Sequence, residues 1–492
     1  MTLTKKIAHI SLFLVCTIIY SLGLVSCNED QFSSNPKYRL EFSTDTLTFD
    51  TVFTNLGSAT SKILVYNHNN VALKISQINL ENNVDGAFHI NVDGAQNASN
   101  KFEDIEIRAH DSLYVFVAVN VGGNNANAPI IAENAIIFNV NGVNQNIRLQ
   151  AFGKNVVILK GKRYNLTTIL NAQKPYLIYD SLVVAPGKTL ILNPGCKLYF
   201  HNNASLIVYG NLEAKGTALA PITMRGDRLD KIKFETPFPY NNVAGQWGGV
   251  FLLWSGGNHV LQHVNMNSGY VGIYFSNSDR NTLPKLDISN CKIHNFLLYG
   301  LVVQNGNVTV TNTEISNTSS YSVYLNGGKH TFIQSTIANY FNNSSVQSVS
   351  RDKKPAVMIM NLNRVAPMET VFKNCIITGS SENEFSLASR FVDLYKGTFD
   401  HCYIRTAKAL TSPQFLNSDI RWYEKNDTIF KSITYNVEKE TYFNFMPDSV
   451  SPARGLADPA VAAQYPLDLN GNNRLEDGKP DAGAYEWVST KK

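Results

Sequence analysis

Ile288-Ser289-Asn290-Cys291-Lys292-Ile293 is followed 22 residues later by Val310-Thr311-Asn312-Thr313-Glu314-Ile315, and 22 after that by Phe332-Ile333-Gln334-Ser335-Thr336-Ile337. The same hydrophobic-x-polar-small-x-aliphatic order opens at Leu261, and it recurs from Phe372 and from Phe399, with intervals of 27, 40 and 27 residues on either side of the central three. A period of this length holding several short strands is what stacked coils produce: each coil lays its strands about 4.8 Å above the last, so equal positions fall into columns. Columns one, four and six are expected to face inward. Column three, His263, Asn290, Asn312, Gln334, Asn374 and His401, is expected at a turn where side chains bond up and down the stack, which makes its two histidines ladder members. The fold class implied is all-β, with a parallel solenoid over residues 156–445.

Composition agrees. The 492 residues are 44% hydrophobic but only 17% charged, and Gly (31), Tyr (23) and Phe (26) are plentiful, a mixture suited to strands and turns. Lys plus Arg number 43 against 39 Asp plus Glu, a net +4, with no clustered basic face; nucleic acid is therefore excluded as a partner.

From Tyr38 to about residue 155 the hydrophobic period is two, as in Leu113-Tyr114-Val115-Phe116-Val117, with Asn/Gly/Asp turns every eight to twelve residues. That pattern reads as a β-sandwich. The run Leu47-Thr48-Phe49-Asp50-Thr51-Val52, the Gly57 turn, Val65-Tyr66-Asn67, Phe88-His89-Ile90 and the closing Leu149-Gln150-Ala151-Phe152-Gly153 resemble Ig-like domains of the ASPM/SPD-2/Hydin type. The resemblance implies a spacer or partner-binding unit for residues 38–155. His68 and His89 lack companions at metal-ligand spacing and read as strand or surface histidines.

Further along, Pro186-Gly187, Asn193-Pro194-Gly195-Cys196, Gly210-Asn211-Leu212-Glu213-Ala214-Lys215-Gly216-Thr217, Pro221-Ile222 and Gln246-Trp247-Gly248-Gly249 resemble the opening coils of bacterial right-handed, pectate-lyase-like parallel β-helix proteins. At the other end, Ser451-Pro452-Ala453-Arg454-Gly455, Asp468-Leu469-Asn470-Gly471-Asn472 and Pro480-Asp481-Ala482-Gly483-Ala484-Tyr485-Glu486 look like the choice-of-anchor Q ending of surface β-helix proteins. Residues 446–492 are accordingly expected to cap the last coil and hide its open edge. Asp468-x-Asn470-x-Asn472 begins like a calcium loop, but Asn473 and Lys479 stand where an EF-hand needs Gly and Glu. No metal and no cofactor is expected.

At the start, Lys5 and Lys6 precede an apolar run that ends Leu24-Val25-Ser26-Cys27. This is a signal-peptide pattern over residues 1–26, with a single membrane-spanning anchor as the alternative. Leu-x-Ser-Cys looks like a bacterial lipobox, which implies acylation of Cys27, a tether over residues 27–37 and a membrane partner through the lipid. Glu29-Asp30 resembles a surface-export signal and reads equally well as solvated linker. The expected location is the outer membrane of a Gram-negative bacterium, facing the periplasm or the surface. Four cysteines then remain, Cys196, Cys291, Cys375 and Cys402; three share column four with Val264, Thr313 and Ser335, so buried free thiols are expected.

No carboxylate pair of the kind a glycosidase needs recurs along the coils, since Asp287, Glu314 and Asp400 fall in different columns. The charged candidates for catalysis are Arg225, Asp227 and Arg228 in one insertion and Arg351, Asp352 and Lys353 in another, which is expected to overhang a groove. Trp247 is expected in the core, Trp254 and Trp422 are possible sugar platforms, and Tyr270, Tyr274, Tyr299 and Tyr324 are expected to pack. The function expected is a lipid-anchored protein whose β-helix binds a glycan or another envelope protein without cleaving it. A polysaccharide lyase or glycoside hydrolase, and a purely structural envelope protein, remain the alternatives.

Overall fold

A computed structural model describes residues 31–489 except 83–85, 125–129, 233–237, 254–256, 278–283, 345–350, 352, 363–366, 389–393, 416–418 and 440. Cys27 with the lipobox-like residues before it, Trp254 and Asp352 lie outside the described residues. The regular structure of the described chain is nearly all strand, with 55% of residues in strands and 3% in helix, the all-β class expected from its periodicity. Among the described residues no helix is long and apolar enough to cross a membrane. The chain divides between Lys154 and Asn155 into two units.

In the first unit, Glu41–Phe42, Ser61–Asn67, Asp111–Val119, Phe88–Val92 and Ala95–Gln96 form one five-stranded sheet. Thr46–Phe53, Val143–Lys154, Ile130–Val140, Leu73–Leu80 and Lys101–Ile107 form the other. Period-two alternation puts Ile63, Val65, Val115 and Val117 from the first sheet into one core with Ile75, Ile78, Ile136 and Phe138 from the second. Asn67 is buried there without penalty, because its amide donates to the carbonyls of Val71 and Arg108, both at 2.9 Å. His89 lies on the exposed side of its strand, and His68 is exposed just past the end of Ser61–Asn67.

The second unit is dominated by one sheet of 25 strands in which every neighbouring pair is parallel. The strands return at a one-coil offset, so that Lys292–Phe296 pairs with Glu314–Thr318, which pairs with Thr336–Asn339, which pairs with Ile376–Gly379. Column one is buried throughout, and its last three members stack ring on ring: Phe332 on Phe372 at 4.6 Å, Phe372 on Phe399 at 5.3 Å. Columns four and six are buried too. Cys196, Cys291, Cys375 and Cys402 are free, and burial pushes the Cys196 and Cys291 thiols up to about 12. All six members of column three have positive φ, from 46° at His263 to 53° at Asn290 and Asn374. That left-handed conformation explains why asparagine dominates the column, since it tolerates αL better than other side chains carrying a Cβ. The ladder bond is present where two asparagines are adjacent, Asn312 Nδ2 donating to Asn290 Oδ1 at 2.6 Å.

The C-terminal segment does not cap the final coil as the sequence suggested. It runs along the side of the stack. Asp458 exchanges hydrogen bonds with the side chain of Asn374, Arg474 donates to Asn312 Oδ1 at 2.6 Å, and the Ala484 N–H donates to Thr336 Oγ1 at 2.9 Å. The physical reason is the left-handed column itself: its side-chain amides, projecting from three internal coils, offer this segment the partners that an open strand edge would otherwise supply. Beneath it, Ala338, Ile376 and Tyr403 join Ala453, Ala482, Ala484 and Tyr485 in a second core. Asp468, read as the start of a cation loop, spends both oxygens on the segment's own N–H groups: Oδ1 accepts from Asn470 and Asn472, Oδ2 from Glu486.

Candidate functional site

Positions five and seven of each coil alternate outward. In register, column five reads Asn265, Lys292, Glu314, Thr336, Ile376 and Tyr403, and column seven begins Asn267, His294, Ser316, Ala338 and Thr378. From Thr336 and Ala338 onward these columns lie under the C-terminal segment. One coil earlier the cover thins, and Lys292, His294, Glu314 and Ser316 form the floor of a half-enclosed cleft of about 410 Å³. Its walls are Asn241 and Asn242, Phe341, and the aromatic set Tyr435, Tyr442, Phe443 and Phe445. Tyr435 packs edge-on to Tyr442 at 5.3 Å, and Phe443 stacks on Phe445 at 5.9 Å. Tyr442 is 52% exposed, which leaves one aromatic face open at the mouth.

Glu314 is almost wholly buried, and each carboxylate oxygen is occupied. Ser316 Oγ donates to Oε1 at 2.6 Å, and the Tyr485 hydroxyl donates to Oε2. Burial works to raise its pKa, but Lys292 Nζ at 3.6 Å, the neighbouring His294 and the two hydroxyls outweigh that and hold it below the usual range. The carboxylate is therefore ionised at neutral pH and has no proton to give. Burial, reinforced by Lys292, pushes His294 down to about 4, so its ring is neutral. Lys292 keeps 39% of its side chain exposed and presents its ammonium to the cleft.

The residues singled out from sequence fall elsewhere. Arg351 does not overhang a groove. It is 5% exposed and grips the fully buried Glu384 through two 2.7 Å bonds, with further bonds to Asn339 O and Ser380 Oγ. The second oxygen of Glu384 also accepts from Ala356 N–H, so the pair is a strut that fixes the long insertion, because a buried carboxylate must be matched in charge and hydrogen bonds. Lys353 is exposed and Lys354 lies 5.8 Å from the Tyr321 ring. In the other insertion, Arg228 pairs with Asp230 at 2.6 and 2.7 Å and stacks on Tyr240 at 4.0 Å. Arg225, half-buried, donates to backbone carbonyls, with burial lowering its pKa. Asp227 meets His201, absent from the sequence candidates, at 2.7 Å.

Trp247 is fully buried, stacked on Phe200 at 4.3 Å. Trp422 packs against the core of the second unit. Tyr270, Tyr274, Tyr299 and Tyr324 do not fill the interior; each is half-exposed, and Tyr299 and Tyr324 both contact Tyr321 on the outer surface, because period-two strands must send alternate positions outward. Among the described residues Asp400, His401 and Asp419 bring three potential ligand atoms within 4.8 Å, but each imidazole nitrogen already faces a carboxylate.

The cleft was missed because columns one, three, four and six carry the repeat, whereas five and seven vary. The available signal was that variation: Lys, His, Glu and Ser on two adjacent coils, then Ala, Ile and Tyr on later ones.

No family model matches the chain. A 67-residue stretch, 13% of the chain, is 40% identical to Protein bark beetle of Drosophila melanogaster, and the chain spans 2% of that protein's length. Among solved structures the chain is similar to the ASH/PapD-like domain of human CEP192 (PapD-like domain 7), at 15% identity over 27% of this chain and 94% of that one, with a TM-score of 0.17. It is similar to a family 123 glycoside hydrolase from Clostridium perfringens at 10% identity over 25% and 30% of the two chains, with a TM-score of 0.17.

Proposed function

We propose that this is a lipid-anchored envelope protein of a Gram-negative bacterium, acylated at Cys27, in which an Ig-like sandwich precedes a right-handed parallel β-helix that binds a glycan in the Lys292–Glu314 cleft. The β-helix reading draws on parallel pairing at a one-coil offset and on columns that alternate inward and outward. The Ig-like reading draws on two antiparallel-rich sheets around one core and on the resemblance of the strand pattern. The lipid anchor and the outer-membrane location rest on the lipobox.

The observation that carries the function is the cleft. Its size falls within the roughly 300–1,000 Å³ of small-ligand sites, and it sets a polar floor against aromatic walls, the pairing that suits a polyol ring with one apolar face. Binding is favoured over cleavage by the state of Glu314. A catalytic acid needs a raised pKa and a free oxygen, whereas Glu314 has a lowered pKa and two occupied oxygens. The test is retention of the detergent-solubilised chain on immobilised acidic and neutral polysaccharides, beside Glu314→Gln and Tyr442→Ala. Retention lost in both variants without new reducing ends supports binding.

A second reading, a polysaccharide-cleaving enzyme, is favoured by the His201–Asp227 pair. Asp227 holds one ring nitrogen of a half-exposed histidine at 2.7 Å, the orienting contact a general base requires. New reducing ends or unsaturated-uronate absorbance, abolished by His201→Ala, select it.

A further inference from the structure

We propose that His401 and Asp419, with Asp400 orienting the imidazole, bind a divalent first-row transition ion of the Zn²⁺ kind at the end of the parallel sheet. The site is separate from the Lys292–Glu314 cleft and does not depend on what binds there.

Column three runs one member beyond its repeat. Strand Ile420–Trp422 pairs in parallel with Cys402–Ile404, Ile420 opposite Cys402, which sets Asp419 opposite His401 one sheet spacing away. Along this column, side chains on neighbouring coils meet across that gap, as where Asn312 Nδ2 donates to Asn290 Oδ1 at 2.6 Å. Amides complement one another there, donor to acceptor. At the last step the facing groups are an imidazole and a carboxylate, whose lone pairs can converge on one cation.

The two carboxylates that face the imidazole are not equivalent. Asp400 Oδ1 lies 2.9 Å from Nδ1, a hydrogen bond. A carboxylate only accepts, so Nδ1 carries the hydrogen and, in the neutral ring, Nε2 keeps its lone pair. Asp419 Oδ2 lies 3.5 Å from Nε2. That is beyond the roughly 2.7–3.2 Å of an N–H···O bond, yet close to the edge of a tetrahedron, about 3.3–3.4 Å for ligands about 2.0–2.1 Å from zinc. A carboxylate on the far nitrogen of a ligating histidine also fixes its tautomer and raises its basicity. Charge points the same way. Among the described residues neither carboxylate has a lysine or arginine in ion-pair contact, although Lys373 lies in register beside Asp400. The Asp419 side chain is 78% exposed, so an ion reaches it, and water completes the coordination. Imidazole selects against Ca²⁺ and Mg²⁺, which take oxygen ligands. Bound there, the ion clips Ile420–Trp422 to the coil before it.

The experiment titrates Zn²⁺ by calorimetry into the metal-stripped full chain in detergent, with and without excess Mg²⁺. One ion per chain is expected, undisplaced by Mg²⁺, with a rise in the unfolding midpoint on binding. His401→Asn, a side chain that column three already holds at positive φ, and Asp419→Ala each weaken binding by at least about tenfold, and Asp400→Ala by about 10–100-fold. The metal-free unfolding midpoint of His401→Asn stays at or above that of the native chain, which separates lost ligation from lost fold. Absence of Zn²⁺ binding overturns the site and leaves the imidazole as a cation bridging its two carboxylates. Zn²⁺ binding that survives both His401→Asn and Asp419→Ala places the ion elsewhere and overturns it equally.

Discussion

Two stretches of the same two columns behave in opposite ways. At Ile376 and Tyr403 in column five the outward positions are apolar or aromatic and sealed beneath the C-terminal segment, whereas one and two coils before Thr336, at Lys292, His294, Glu314 and Ser316, they are polar and reach a cleft. Backbone and pairing are alike in both. What differs is the cover, so the parallel sheet supplies a rigid ruler and the added segments decide where along it chemistry is allowed to meet solvent.

The largest effect is expected where a buried charge pair ties an insertion to the sheet. Arg351→Ala strands Glu384, a fully buried carboxylate, and is expected to cost about 3–5 kcal/mol, read as a fall in the denaturant midpoint of the second unit. Arg228→Ala, by contrast, breaks a partly exposed pair and is expected to cost under about 1 kcal/mol. Equal losses from the two would place both insertions in the same class, contrary to the burial difference.

Next in size is Glu314→Gln in the open half. It keeps the shape but removes the charge that holds Lys292, and is expected to cost about 1–3 kcal/mol of stability with at least a tenfold loss of ligand affinity. His294 stays neutral above about pH 5, so affinity should be flat between pH 6 and 8; a midpoint in that window would show that His294 titrates in the site.

Smaller still is a pH effect on the cover. Burial, then the nearby Asp481, pushes Glu486 up to about 8. Between the ordinary glutamate range and pH 8 the folded state thus holds a proton that the unfolded state has released. The cover's stability is accordingly greatest on the acid side, declines as pH rises through that window and levels off above pH 8. Limited proteolysis after residue 450 should quicken from pH 5 to 8.5 in the native chain, and less so in Glu486→Gln. The smallest effect belongs to the ladder: His263→Asn, at φ 46°, is expected to stabilise by up to about 0.5 kcal/mol, because asparagine tolerates αL better.

Columns one, three, four and six were legible in the sequence because stacking forces equal positions into equal environments, and the asparagines of column three announced a turn, though not its left-handed backbone. The site was not legible from the same pattern. Its walls come from 239–242 and from Tyr435 and the aromatic residues at 442–445, and no local spacing connects segments nearly 200 residues apart. Arg351 misled for a related reason: a charge run in a long insertion looks solvated until its partner, Glu384, is found in the adjoining coil. The lateral position of residues 458–484 was hidden because its partners are ladder amides, which the repeat alone presents as bonding only to one another.

If the proposal holds, ligand binds where the cover ends, over Lys292 and Glu314. The most direct measurement is hydrogen–deuterium exchange of the full chain with and without the best-retained disaccharide. Protection is predicted at 292–296, 314–318 and 435–445, and should vanish in Glu314→Gln. Protection confined to the outer tyrosines at 270–274, 299 and 321–324, unchanged by that substitution, would contradict it.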